Sequence, residues 1–298
     1  MEAANRKGAV RIKKTNDRNR YILGGGIWVR DFTNNNVPFV NINKMIDKED
    51  YKVVLSNEMK NKTLRRGSIS EEVFNFPKIV IVSDGYGFAE KHKMLFNLGS
   101  DVIIIAVNGA LAKWELMQGE VRKPINLYVA NNPYEECKSY LPKKSNYYPS
   151  CASSIRTNPD FINKYLGNIY FYYPSQDAGF GQSNIERYCI DDYRNPVCAA
   201  IGLAYRFGVQ KLMLLCCDDS FKDERPAAEK LPNGLWTYPQ QIKSHDIIDA
   251  NLYWLTHQED KEVVVADHSS GPEYNHAQYI SNEEAMSAFF EDTILSGV

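Results

Sequence analysis

The chain is 298 residues long and contains no apolar run near the 18 or so residues that a membrane-spanning helix requires. A membrane role is therefore not expected. Its N-terminus is polar and basic rather than built like a signal peptide, so the expected location is cytoplasmic. Cysteine is sparse. The six present (Cys137, Cys151, Cys189, Cys198, Cys216 and Cys217) form no CxxC pair and no zinc-type spacing, which argues for reduced thiols. Only five histidines occur, with no HExxH motif and no Ser-His-Asp order. There are no internal repeats and no low-complexity tracts.

What is present has an ordinary globular balance, 44% apolar and 24% charged, enough to bury a large core in one or two domains. The net charge of −2 conceals an asymmetry. Residues 1–66 hold 15 Lys+Arg against 7 Asp+Glu, a net +8, and the remainder holds 20 against 30, a net −10. This divides the chain into a basic N-terminal arm, 1–66, and an acidic body, 67–298. The first 20 residues read as disordered. Short hydrophobic pieces over 21–66 (Tyr21–Leu23, Ile27–Val29, Val37–Val40, Val53–Leu55) cannot form a core alone and are expected to drape over the body or a neighbouring subunit. Arg65–Ser68 reads as an exposed linker. Such an arm suits a homo-oligomer or large assembly, a nucleic acid or an acidic partner surface.

The body alternates strand and helix signals. Ile79-Val-Ile-Val82, preceded by Pro77-Lys78, is a continuous apolar run of the kind a strand covered on both faces shows, and it enters the turn Ser83-Asp-Gly-Tyr-Gly-Phe88. Gly85 and Gly87 would let backbone amides approach a phosphate at a helix N-terminus, although the third glycine and the downstream acid of a dinucleotide fingerprint are missing. Further strands are expected over 101–108, 125–130, 168–173, 211–217 and 262–266. Helices are expected over 88–98, 109–118, 196–207, 244–256 (capped at Ser244) and 282–294. This alternation predicts an α/β fold, a Rossmann-like three-layer sandwich with a mostly parallel sheet.

Ligands in such folds bind beyond the carboxyl ends of the strands. The residues there form a polar set: Ser83, Asp84, Gly85 and Gly87; Asn108 and Gly109; Asn131 and Asn132; Asp218, Asp219 and Ser220; Asp267, His268 and Ser269. Asparagine can bond a ribose or a base edge as donor and acceptor together, and the Asp218-Asp219 pair could hold Mg²⁺. His92 reads as a surface residue. His245 is the first candidate for a general base, because a helix N-terminus would favour its neutral form. The loop Asp177–Ser183 is rich in glycine and reads as a lid.

In its order of motifs, the chain resembles the MptE-like domain group. That group includes 6-hydroxymethylpterin diphosphokinases and motility-accessory glycosyltransferases, and is similar to Rossmann-like bacterial sialyltransferases. The resemblance covers roughly residues 77–270. It rests on the strand and turn 78–87, the strand ending in Asn108, the run Ile125-Asn-Leu-Tyr-Val-Ala-Asn-Asn-Pro133, and above all Asn195–Asp219. It implies a nucleotide-dependent transferase with a nucleotide or nucleotide-sugar donor and an acceptor. Asp219 and His245 would be the catalytic positions, with Asp218 and Asp219 as metal ligands. The departures are specific. The family's first turn reads Gly-x-Gly-Pro-Ser-Leu. Asn131 and Asn132 stand where the diphosphokinases carry acids, and the histidine base of the sialyltransferase-like members aligns near Gln241, four residues before His245. Glycosyl transfer is accordingly expected over Mg-dependent diphosphoryl transfer. The alternative is a catalytically degenerate domain serving a large assembly, for instance a phage particle, in which case the location would be the virion.

Overall fold

The computed structural model describes residues 20–23, 26–29, 40–41, 48–64, 67–68, 75–116, 124–143, 148–174, 189–190, 192, 194–218, 220–231, 233–258, 262–280 and 283–291. The first 19 residues, Asp219 and the loop 175–188 lie outside them.

In the arm, β1 (Arg20–Leu23), β2 (Gly26–Val29) and β3 (Val40–Asn41) form a small antiparallel sheet. Helix α1 (Lys48–Lys62) follows, where the sequence suggested only an isolated apolar piece at 53–55. The expectation of a linker through Ser68 is corrected at its end: β4 (Gly67–Ser68) pairs in parallel with a strand of the body.

The body continues with β5 (Lys78–Val82), α2 (Phe88–Lys91), a 3₁₀ helix over His92–Asn97, β6 (Val102–Val107), α3 (Ala110–Leu116) and β7 (Leu127–Ala130). A second 3₁₀ helix, Glu135–Tyr140, leads to β8 (Ser150–Ser154), α4 (Pro159–Lys164), β9 (Ile169–Pro174) and β10 (Cys189–Ile190). Then come α5 (Pro196–Arg206), β11 (Lys211–Leu215), the hairpin β12 (Glu229–Lys230) and β13 (Trp236–Thr237), and α6 (Pro239–Thr256). The last elements are β14 (Val264–His268), β15 (Gln278–Tyr279) and α7 (Glu283–Phe290).

The large sheet runs β10-β9-β8-β7-β6-β5-β11-β14-β15, and its described pairings are parallel. From β5 the chain steps outward through β6, β7, β8 and β9. It then returns through α5 to set β11 on the other side of β5. The switch in direction therefore lies between β5 and β11, with their carboxyl ends on one edge. Alternation along each strand feeds two cores. Val80, Val82, Ile104, Ala106 and Met213 pack on one face with α3, α4 and α7. Ile79, Ile81, Ile105, Val107 and Leu212 pack on the other with α5 and α6. This is the Rossmann-like α/β architecture.

Helix α5 explains its own placement. Asn195 Oδ1 accepts from Val197 N at 2.8 Å, Pro196 occupies the first turn, and Ala199, Ala200 and Ala204 are fully buried, so the helix lies close on the sheet. Four local expectations are corrected. β8 went unseen because Ser-Cys-Ala-Ser-Ser carries no apolar run, yet pairing on both sides buries it. The helix after β5 is one turn of α followed by 3₁₀. Helix α6 starts at Pro239, so Ser244 is internal, and its hydroxyl accepts from Asn195 Nδ2. His92 is buried rather than on the surface; its Nδ1 donates to Phe88 O at 3.0 Å and its ring packs among Phe88, Phe96 and Trp114.

Candidate functional site

Two neighbouring regions occupy the carboxyl edge of the sheet. The first is a small recess at the ends of β6 and β7, with a cavity volume of about 10 Å³, lined among others by Asn108, Tyr128, Asn131, Asn132, Tyr140 and Pro196. A ligand pocket measures about 300 Å³ or more, so as it stands the recess admits one water-sized polar group, and a sugar or base ring would enter only with widening of the recess.

Asn108 ends β6 with φ 51°, a left-handed conformation that asparagine tolerates better than most residues. Its Nδ2 donates to Ser83 Oγ at 3.1 Å, and its carbonyl accepts from Tyr128 OH at 2.8 Å. Asn132 Oδ1 accepts from Tyr134 N at 2.8 Å, folding the chain sharply after β7. Asn131 is buried between them, and its Nδ2 has no hydrogen-bond partner. An amide N–H₂ left in that state costs about 1–3 kcal/mol, and an acceptor entering the cleft would remove the cost. Among the described residues the lining carries no carboxylate and no cationic side chain. Burial pushes the Tyr128 phenol well up; burial and then the Asp84 charge raise that of Tyr140, so both are neutral donors.

The second region is the switch point itself, and it is packed shut. A Cβ at Gly85 would lie 2.2 Å from Asp218 Oδ1 and 2.5 Å from Cys216 O, so only glycine fits. The Gly85 amide, offered by the sequence as a phosphate donor, gives its hydrogen to Cys216 O at 3.0 Å. Gly87 has φ 81° and opens a four-residue helix, too short for a developed dipole. Asp84 crowds Gly109 and has Lys113 Nζ 3.7 Å from its carboxylate.

Asp218 Oδ2 accepts from Ser270 N at 2.6 Å, and the Ser220 hydroxyl and the Gly271 amide also bond its carboxylate. Asp267 Oδ1 accepts from Ser269 Oγ at 2.7 Å and from Ser269 N at 3.1 Å. Burial pushes Asp218 up to about 6 and Asp267 up to about 7, the latter helped by the Asp218 charge. Lys91 Nζ donates to His268 O at 3.1 Å and Ser270 Oγ at 2.7 Å, tying α2 to the end of β14. Among the described residues no three His, Cys, Asp or Glu side chains converge on a metal-sized space. The magnesium expectation depends on Asp219, which lies outside the described residues.

His245 sits behind this region. Its Nε2 donates to Pro272 O at 2.9 Å, and its ring stacks on Tyr274 at 4.2 Å. Burial lowers its pKa, so Nδ1 carries a free lone pair at neutral pH. Tyr274 OH donates to Cys217 O at 2.9 Å and couples this histidine to the end of β11. The structure thus brings Ser83, Asn108, Asn131 and Asn132 together, sets Asp84, Gly85, Gly87 and Asp218 at the adjacent closed turn, and holds His245 outside the cleft lining. Tyr128 was the missed member. Its signal was a lone phenol in a strand that ends on two asparagines.

No protein-family model matches the sequence, and no curated protein matches it. Among solved structures, the MAf glycosyltransferase from Magnetospirillum magneticum AMB-1 has a similar fold, with a TM-score of 0.57 at 12% sequence identity. The likeness covers 80% of this chain and 41% of that protein, so the chain spans less than half its relative's length. At such identity the likeness is one of fold.

Proposed function

We propose that the chain is a nucleotide-dependent transferase of the MptE-like kind, and that it moves a glycosyl group from a nucleotide-sugar to an acceptor. The observation that carries this reading is the uncharged cleft at the ends of β6 and β7, with Asn131 Nδ2 buried and unpartnered in its wall. The glycosyltransferase fold supports it. Asn108, Asn131 and Asn132 would bond the hydroxyls or carbonyls of the donor's sugar or base. Amides, unlike the carboxylates of a diphosphokinase, offer donors to a neutral ring, which favours glycosyl over diphosphoryl transfer. In that reaction the bond from the anomeric carbon to the nucleotide phosphate breaks and a bond to the acceptor oxygen forms. The acceptor's proton passes to a base; His245 Nδ1, the first candidate by sequence, lies outside the recess lining and would serve only an acceptor that reaches it at the β11 end.

The test is thermal unfolding of the protein with CMP, UDP-sugars, ATP and GTP in turn. A ligand at about 100 times its Kd adds about 2.7 kcal/mol to the folded state, a shift of several degrees. One nucleotide class shifting the midpoint supports the proposal, and no shift with any of them overturns it. The alternative reading, a degenerate domain that works in an assembly through its basic arm, has one observation in its favour: the Gly85 amide is committed to Cys216 O. It would gain if no nucleotide binds and the chain sediments as a large, salt-sensitive oligomer.

A further inference from the structure

We infer that helix α1, in the basic arm, is a built part of the candidate site, with Asn57 and Asn61 as its positioning residues. The inference deepens the reading of the cleft as a ligand site and rests on it for its functional meaning. Asn57 and Asn61 lie one turn apart on a single face of α1, together with buried Val54, and both are buried. Asn57 Nδ2 donates to Pro133 O at 2.8 Å and Arg156 O at 3.2 Å. Asn61 Nδ2 donates to Ile155 O at 2.9 Å and Thr157 O at 2.7 Å. Each side-chain amide has two N–H groups and uses both.

The four carbonyls belong to the two turns that close the cleft's side of the sheet. Pro133 directly follows Asn131 and Asn132, and 155–157 is the turn after β8. The turns are also tied to each other. Asn158 N donates to Asn132 O at 3.0 Å, Thr157 Oγ1 to Ala130 O at 3.1 Å, and Ser153 Oγ to Thr157 Oγ1 at 3.0 Å. Glu58 lies 3.5 Å from Arg156 Nε across the same seam. An apolar stripe alone would dock a helix without regard to backbone direction. Two amides aimed at four carbonyls instead fix where those carbonyls point, and with them the backbone carrying Asn131 and Asn132.

The test uses the full chain and the variants Asn57→Ala, Asn57→Asp and Asn61→Ala. Amide hydrogen exchange is read over 131–134 and 155–158, with β5 as the internal control, and nucleotide affinity is read in parallel. Exchange in the two turns should quicken about ten-fold while β5 is unchanged, and affinity for whichever nucleotide the native chain binds should weaken about ten-fold. Asn57→Asp keeps the shape, removes the donors and sets a carboxylate against two carbonyls, so exchange in the turns should quicken at least as much as in Asn57→Ala. If Asn61→Ala unfolds, the Asn57 pair decides. Unchanged exchange in both turns overturns the inference, as does a rise spread evenly over β5 in every variant. A native chain that binds no nucleotide overturns the proposed function instead, and the exchange result still decides the role of α1.

Discussion

The cleft at the ends of β6 and β7 and the switch point between β5 and β11 share one sheet edge and one kind of residue, yet they treat polar groups in opposite ways. At the switch point the Gly85 amide, Asp218 Oδ2, Asp267 and the Lys91 ammonium bond to neighbouring turns. At the cleft Asn131 Nδ2 has no hydrogen-bond partner among the described residues. Polar residues at strand ends therefore divide into those that close turns and those that face open space, and only the second kind has hydrogen-bonding capacity to offer a ligand.

The largest effect is expected where packing is tightest. Gly85→Ala would place a methyl against Asp218 backbone and carboxylate, and should cost about 3 kcal/mol in urea-induced unfolding. A cost below about 0.5 kcal/mol would mean the switch point opens freely, and the contrast with the cleft would fail.

Asn131→Ala should do the reverse. Stability measured the same way should rise, by about 1 kcal/mol, because the buried donor lost was unsatisfied, while nucleotide binding by calorimetry should weaken by about 2 kcal/mol. Unchanged affinity would remove Asn131 from the site.

The closed region should also be sensitive to pH. Asp218 and Asp267 titrate at about 6 and about 7 when folded, above the ordinary carboxylate value near 4. The folded state thus holds more protons than the unfolded state between about pH 4 and 7. Stability contributed by these groups falls as pH rises through that window and is level above it. Because the two carboxyls interact, about 2 kcal/mol is expected between pH 5 and pH 8, less than two independent groups would give. His245, with its pKa lowered by burial, works in the opposite direction below about pH 6.5, so the difference between native and Asp267→Asn denaturation curves isolates the carboxyl part. A pH-independent difference would contradict the burial of charge there.

The smallest effect concerns Asn108, at φ 51°. Asn108→Ala should cost about 1 kcal/mol from the left-handed backbone, and Asn108→Gly much less, with both losing the amide. Equal thermal midpoints for the two would show that the turn relaxes.

Much of the fold was legible in the sequence because strands buried on both faces must be continuously apolar, as Ile79–Val82 and Val102–Val107 are. β8 was illegible because its burial comes from the strands flanking it rather than from its own side chains. Helix α1 was illegible because its docking face is Val54, Asn57 and Asn61, two of them amides whose partners are backbone carbonyls more than 70 residues away. By itself, the sequence determined that polar residues would gather at the strand ends of a parallel α/β sheet, since local apolar runs and turn residues specify both. Which of them are spent on one another was decided only by tertiary structure. The return of the chain through α5 sets β11 against β5, and that contact shuts the glycine turn onto Asp218, while the ends of β6 and β7 keep a small recess with an unused amide donor.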